Sequence, residues 1–213
     1  MNIVLILVEN GVVPMRQNVA PVATQTFYCV TVDAHTSTSD TFVCLANGLA
    51  GNRILQSGQG QGKKFYAALW EACDSLSRQI AADGEGATKL VRVVVAGTAS
   101  AANARKAAMA IANSPLVKTA IRGGDPNWRR FISAAGYSGA AMRVERAGCR
   151  VGSISVFKNG RPAAADLEKV QQLMRLPEVT ISVDLGTDGG CGCKVHTCDL
   201  SRQYITINAD YHT

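Results

Sequence analysis

Residues 90–113 read Leu-Val-Arg-Val-Val-Val-Ala-Gly-Thr-Ala-Ser-Ala-Ala-Asn-Ala-Arg-Lys-Ala-Ala-Met-Ala-Ile-Ala-Asn, and the fold class turns on them. Leu90 to Ala96 is an apolar, valine-rich run stopped by Gly97. β-Branched side chains lose rotamer freedom in a helix and pack well on a pleated surface, so the run reads as a strand covered by other elements. Ala101 to Asn113 is alanine-rich, the cheapest composition for a helix, and Ser100 offers an N-cap hydroxyl. A covered strand leading at once into a helix is the building unit of α/β and α+β folds.

Upstream, Phe65, Leu69, Ala72, Leu76 and Ile80 recur at helical steps, which predicts a helix from Lys63 to Asp83 with Gly84 as its stop. Residues 2–8, 27–32 and 41–46 read as strands, and the hydroxyl-rich Asp33 to Asp40 segment as a loop. Downstream, Asp125-Pro126-Asn127-Trp128 predicts a capped helix to about Ala135. Val151 to Phe157 predicts a strand, Asn159-Gly160 a primed hairpin turn, and Ala164 to Arg175 a helix. Val179 to Leu185, Cys193 to Cys198 and Tyr204 to Asn208 complete the strands. Helices link some strands and hairpins link others, so the expected architecture is a layered sandwich of mixed β-sheets and helices in one domain, 1–213.

Composition narrows the function. With 47% hydrophobic and 18% charged residues the 213-residue chain has the balance of a folded protein. Its longest apolar run, Ile3 to Val8, is far shorter than the roughly 18 residues that span a bilayer, so neither a membrane nor a secretory route is expected and the cytoplasm is. The net charge of +6 comes from scattered lysines and arginines, and aromatics are only 6%, which argues against nucleic acid as a partner. Cysteines 29, 44, 73, 149, 191, 193 and 198 are an odd number and read as reduced thiols. Strand alternation would put Cys193 on the opposite face from His196 and Cys198, so no metal is expected there.

Three segments carry candidate chemistry. Asp33 to Thr41 offers a histidine, hydroxyls and two carboxylates, although such residues in a loop ordinarily bond nearby amides. In Asp83-Gly-Glu-Gly-Ala-Thr-Lys89, glycines flank Glu85; they permit a sharp turn and a close approach, leaving either an exposed acid or a carboxylate for an ammonium group. The tail delivers Asn208, Asp210, Tyr211, His212 and Thr213, of which Asn208 can both donate and accept. Dinucleotide, P-loop, zincin and serine-elbow motifs do not occur.

Asp33-Ala-His-Thr-Ser-Thr-Ser-Asp-Thr41 with Leu45-Ala-Asn-Gly48, Asp83 to Lys89, Ile111 to Ala120, Asp125 to Trp128, and Thr197-Cys-Asp-Leu200 with Ile207 to Thr213 follow one another in the order of the ornithine acetyltransferases of arginine biosynthesis. Residues 27–213 resemble the β-chain portion of that family, the bifunctional glutamate N-acetyltransferases, and residues 1–26 are an atypical N-terminal segment. The resemblance implies the fold of a self-cleaving threonine-nucleophile enzyme whose α and β chains assemble as a heterotetramer of two α and two β chains. It implies acetyl transfer from N-acetylornithine to glutamate through an acetyl-threonine, with no cofactor; some members accept acetyl-CoA as co-substrate. By motif, Glu85, Asn208 and Thr213 are the implied substrate-binding residues for ornithine, N-acetylornithine or glutamate.

The departures set further expectations. No threonine precedes the Ile3 to Val8 run, the earliest being Thr24, so no catalytic residue is assigned and the chain alone is expected to be inactive and to need an α-chain partner. Ser39 stands where the family has asparagine, and Arg129 replaces a glycine after Asp125-Pro-Asn-Trp128, where added bulk is expected to crowd a tight turn. The alternatives are a catalytically inactive remnant that keeps the fold and an amino-acid pocket, or a basic scaffold or nucleic-acid binder.

Overall fold

The computed structural model describes residues 3–8, 12–13, 15–56 and 58–210. The chain gathers into two compact units: Met1–Val30 with His35–Ile80, and Thr31–Ala34 with Ala81–Thr213.

In the first unit, β1 (Ile3–Val8) pairs in parallel with β3 (Thr41–Ala46), and β2 (Val12–Val13) pairs in parallel with β4 (Leu55–Gln56). Helix α1 spans Met15–Gln25, and α2 spans Gly60–Ala82, its residues to Ile80 lying in this unit. Val22, Leu69 and Cys73 form the buried core, with Ile6, Phe42, Cys44, Phe65 and Trp70 packed against it. Period-two alternation therefore turns Ile6, Phe42 and Cys44 inward, while Leu5, Leu7 and Leu45 on the other face are 56%, 68% and 53% exposed. Helix α1 escapes sequence reading because Pro21 lies inside it and proline reads as a break. The strand expected over 27–32 is instead a 3-10 turn at Phe27–Cys29, held by the Cys29 amide on the Thr26 carbonyl at 2.9 Å. Aromatic packing decides that segment over β propensity: Phe27 sits 4.9 Å from Phe42, ring to ring.

The second unit is built on a six-stranded mixed sheet. Its strands are β5 (Leu90–Thr98), β6 (Gly148–Val151), β7 (Ile154–Lys158), β8 (Arg161–Pro162), β9 (Glu178–Asp184) and β10 (Cys191–Cys198), in spatial order β10-β5-β9-β6-β7-β8. Only β5 and β9 run parallel. Register aligns Val93 with Ile181 and Val195, and Ile181 with Val151, so one continuous apolar layer crosses four strands with every member buried. Helix α3 (Ala101–Asn113) lies on β10 and β5 through Ala104, Ala107, Ala108, Ile111 and Ala112, small side chains that bring the helix close to the sheet. Its start is fixed by Ser100, whose hydroxyl accepts from the Asn103 amide.

Helix α4 (Pro115–Gly123) follows at once, with Ser114 accepting from the Val117 amide and Pro115 in the first turn, where a missing N–H costs nothing. At its other end Gly124 has φ 68°, and the amides of Gly124 and Asp125 return to the carbonyls of Ile121 and Ala120 at 3.2 and 2.8 Å, a Schellman closure. This closure corrects the expected role of Asp125-Pro126. These residues end α4 rather than begin the next helix, and α5 spans Trp128–Tyr137, with Asn127 at its start and the Asp125 carboxylate 3.6 Å from Arg130. Arg129 lies in the first turn of α5, and its guanidinium sits over the Trp128 ring at 4.9 Å while that ring stacks on Phe157.

The strand expected from Val151 to Phe157 is two antiparallel strands, because Gly152 takes φ 55° and turns the chain between Val151 and Ile154. Asn159 and Gly160 take φ 50° and 74°, the primed turn that their identities predict. Helix α6 spans Leu167–Met174, capped by Asp166 on the Lys169 amide. The last expected strand, Tyr204 to Asn208, is overturned: Arg202–Asp210 forms helix α7. Ser201 is the reason. Its hydroxyl accepts from the Tyr204 amide at 3.3 Å, the N-cap interaction, and this local bond outweighs the strand preference of Tyr, Ile and Thr.

Candidate functional site

Glu85 sits on the turn between α2 and β5. The Ala87 amide bonds the Gly84 carbonyl at 2.8 Å, closing a four-residue turn whose third position, Gly86, has φ 65°. That backbone conformation is the one a type II turn demands and a side chain disfavours. Gly86 is also pressed against the start of α7, and the Ser201 hydroxyl donates to its carbonyl at 2.6 Å. One serine therefore caps α7 and ties it to the Glu85 turn.

The strand end of the same loop is held by a buried carboxylate. Asp199, 2% exposed, accepts from the Thr88 amide at 2.7 Å, the Thr88 hydroxyl at 2.6 Å and the Lys89 amide at 2.9 Å. Arg122 donates to the Thr88 hydroxyl oxygen at 2.6 Å and stands 3.8 Å from Asp199. Lys89 in turn donates to the Ile121 and Met174 carbonyls at 2.7 and 2.6 Å, and burial lowers its pKa. Beneath Gly84, Lys118 donates to the Val32 carbonyl at 2.8 Å and the Thr197 hydroxyl at 3.1 Å. Burial lowers the Lys118 pKa and raises that of Cys198, which lies 3.6 Å from its ammonium group.

On this frame Asn208 reaches Glu85. Its amide nitrogen donates to a Glu85 carboxylate oxygen at 2.7 Å and to the Tyr204 carbonyl at 2.9 Å, across 123 and 4 residues of sequence. Two of the three residues expected in the site are thus in direct contact; Thr213, with Tyr211 and His212, lies outside the described residues. The Tyr204 hydroxyl donates to Asp33 at 3.2 Å. Burial first, then the Asp33 carboxylate and then that of Glu85, raise the Tyr204 pKa and keep it a phenol. Both amide hydrogens of Asn208 face acceptors, so the groups the pair can still offer are the Asn208 amide oxygen and the second Glu85 oxygen. Two acceptors, one of them anionic, suit an ammonium group.

Sequence reading missed Ser201, Asp199 and Tyr204. The signal for Ser201 was local, a serine three residues before Tyr204 at a helix start. Asp199 and Asp33 stand in motifs the sequence offered, but their partners, 111 and 171 residues away, had no local signal. The Asp33 to Asp40 segment is a loop whose hydroxyls bond one another and nearby backbone, as the Ser39 amide does to the Ser37 hydroxyl at 3.1 Å. The seven cysteines are free thiols, and among the described residues no three His, Cys, Asp or Glu side chains gather as a metal site. No described helix is long and apolar enough to cross a membrane.

Comparison with known proteins points to one family over most of the chain. The family model described as the ArgJ family matches residues 10–213. The chain is 45% identical over 188 residues to the arginine biosynthesis bifunctional protein ArgJ of Geobacter sulfurreducens, covering 88% of this chain and 48% of that one. It is 46% identical over 192 residues to the protein of the same name from Deinococcus radiodurans, covering 90% and 47%. The chain therefore spans about half the length of the curated relatives it matches. A crystal structure titled arginine biosynthesis bifunctional protein ArgJ from Bacillus halodurans superposes with a TM-score of 0.94 at 37% identity, covering 99% of this chain and 100% of that one. By family match, identity and mixed α/β fold alike, this chain belongs to the ArgJ family.

Proposed function

We propose that the chain is the β-chain-like part of an acetyltransferase of arginine biosynthesis, which moves an acetyl group from N-acetylornithine to glutamate. In this reading Glu85 and Asn208 receive the amino-acid ammonium, Thr213 completes the polar lining, and an α-chain partner in a heterotetramer contributes the remaining contacts. The acetyl group passes through a threonine ester. A threonine hydroxyl, activated by a neighbouring amine, attacks the acetyl carbonyl and ornithine leaves; the glutamate amine then attacks the ester and restores the hydroxyl. The residues of this chain supply binding and orientation, not the nucleophile, and no cofactor enters. Acetyl-CoA is an alternative acetyl donor in the same scheme.

The observation that carries the reading is the 2.7 Å bond between Asn208 and Glu85 on a glycine-fixed turn. A binding residue needs a rigid support, and this one has both the turn and the Ser201 tie. The partner is supported separately by the outer face of β1 and β3, since parallel sheets are ordinarily covered on both faces and this one presents Leu5, Leu7 and Leu45. Titration calorimetry of the chain with ornithine tests the site. Glu85→Gln should weaken binding by about 1.5 to 3 kcal/mol, the range for a hydrogen bond to a charged group, and leave the fold intact. Equal affinity in both forms removes Glu85 from the site. Incubation with N-acetylornithine should leave the mass of the lone chain unchanged; an acetylated chain would show that it carries its own nucleophile.

A further inference from the structure

We propose that Tyr204 is the positioning residue of the amino-acid site: its hydroxyl on Asp33 and its carbonyl on Asn208 set the rotation of α7 that keeps Asn208 on Glu85. The inference rests on the reading of Glu85 and Asn208 as ligand-binding residues, and it adds Tyr204 and Asp33 to what that reading needs.

No side chain of α7 is fully buried: Ile205 is 62% exposed, and Tyr204 and Ile207 are half-buried. Hydrophobic packing, which fixes the rotation of most surface helices, is thus weak here. Polar contacts take its place at successive turns. Ser201 pins the start of the helix to Gly86, Tyr204 reaches Asp33 at the first turn, and Asn208 reaches Glu85 at the second. The cap fixes one end but leaves the helix free to rotate about it. The Asn208 contact is the one that must hold while a ligand ammonium takes the second Glu85 oxygen, so it needs a support besides itself. Tyr204 is the contact between the two, and its four-residue spacing from Asn208 places both on one helix face.

The two ends of Tyr204 act together. Its carbonyl holds the Asn208 amide nitrogen at 2.9 Å, which turns the amide oxygen away from the helix, and its phenol holds Asp33 at 3.2 Å. Only a hydroxyl can donate to Asp33 from this position, so phenylalanine keeps the ring and loses the tether. Asp33 belongs to the short segment Thr31–Ala34 of the same compact unit, and that segment is itself fixed: the Thr31 amide bonds the His196 carbonyl at 3.0 Å, and the Thr31 hydroxyl donates to Asn113 at 2.6 Å. The tether therefore runs from α7 to a point anchored on β10 and α3.

The test is nuclear magnetic resonance of the Asn208 side-chain amide in the isotopically labelled 213-residue chain, beside ornithine titration. In the unsubstituted chain one Asn208 amide hydrogen should exchange slowly and respond to Glu85→Gln. Tyr204→Phe should speed that exchange about tenfold, the loss of one net hydrogen bond, abolish the response to Glu85, and weaken ornithine binding by a similar factor. Asp33→Ala should reproduce Tyr204→Phe, whereas Asp33→Asn, which keeps an oxygen acceptor, should restore the exchange rate and the affinity. Unchanged Asn208 exchange and Glu85 coupling in Tyr204→Phe, or an Asp33→Ala chain that behaves as the unsubstituted one, overturns the proposal. If the unsubstituted chain binds no ornithine, the functional reading of the site fails while the Asn208 amide still decides whether Tyr204 positions it.

Discussion

A Cβ placed on Gly86 would stand 2.5 Å from the backbone nitrogen of Tyr204 and 2.9 Å from the Ser201 hydroxyl oxygen. The turn that carries Glu85 and the helix that carries Asn208 are thus packed backbone to backbone, with the Ser201 hydroxyl bridging them. This contact makes glycine obligatory beyond its φ of 65°.

Gly86→Ala should therefore do more than strain a turn. The positive φ alone costs of order 1 kcal/mol, and α7 must also move away to admit the methyl group. We expect a destabilisation of about 2 to 4 kcal/mol, read from the urea midpoint, with amide exchange of residues 202–210 accelerated more than that of β5. Protection of α7 equal to that in the unsubstituted chain would show that the loop, not the helix, yields.

Asp199→Asn should be among the most damaging isosteric changes in the second unit. The carboxylate is buried and accepts from two backbone amides and a hydroxyl, with Arg122 at 3.8 Å, so an amide in its place turns a donor toward donors. A loss of about 2 to 4 kcal/mol is expected from removing hydrogen bonds to a buried charge. Thr88→Val, which deletes only the hydroxyl, should cost about 1 kcal/mol by the same denaturant measurement.

The second unit was legible where local and global preferences agree. The valines of β5 and the alanines of α3 are good formers of their own element and also face the core, so periodicity, propensity and burial give one answer. Legibility failed where one local bond reverses a propensity. Tyr-Ile-Thr-Ile reads as a strand until Ser201 caps it, and Asp125-Pro126 reads as a helix start until the preceding helix claims both residues. Of the site, the loop glycines announced Glu85, and the family motif pointed to Asn208. The Tyr204–Asp33 link depends on segments 171 residues apart, and neither residue type signals a partner at that distance.

The buried thiol of Cys149 makes stability depend on alkaline pH. Burial pushes its pKa from the ordinary 9.0 up to about 12. Below pH 9 the thiol is protonated in both folded and unfolded chains and contributes no slope. Between pH 9 and 12 the unfolded chain loses the proton and the folded chain keeps it, so stability falls as pH rises, by at most about 1.4 kcal/mol per pH unit for this group. Cys149→Ala should lower the denaturant midpoint at pH 7 through the space it vacates and flatten the alkaline decline. A decline of unchanged steepness would assign it to other groups, with Cys73, raised to about 11 in the first unit, the next to test.

The outer face of β1 and β3 bears on assembly. Leu5, Leu7 and Leu45 stand side by side on it, since β1 and β3 pair in register with Leu7 opposite Leu45. A two-stranded sheet is marginal on its own, and an apolar face left in water drives association. We expect the isolated chain to self-associate in sedimentation velocity at micromolar concentration, and a co-expressed α-chain-like segment of a relative to suppress that by covering the same face. Leu5→Thr with Leu7→Thr introduces β-branched residues suited to a strand while removing most of the apolar surface. The double substitution should shift the isolated chain toward monomer with little change in its urea midpoint, and should abolish retention of the α-chain-like segment. A wild-type chain that sediments as a monomer, or a double variant that retains the segment as well as wild type does, would place the partner surface elsewhere.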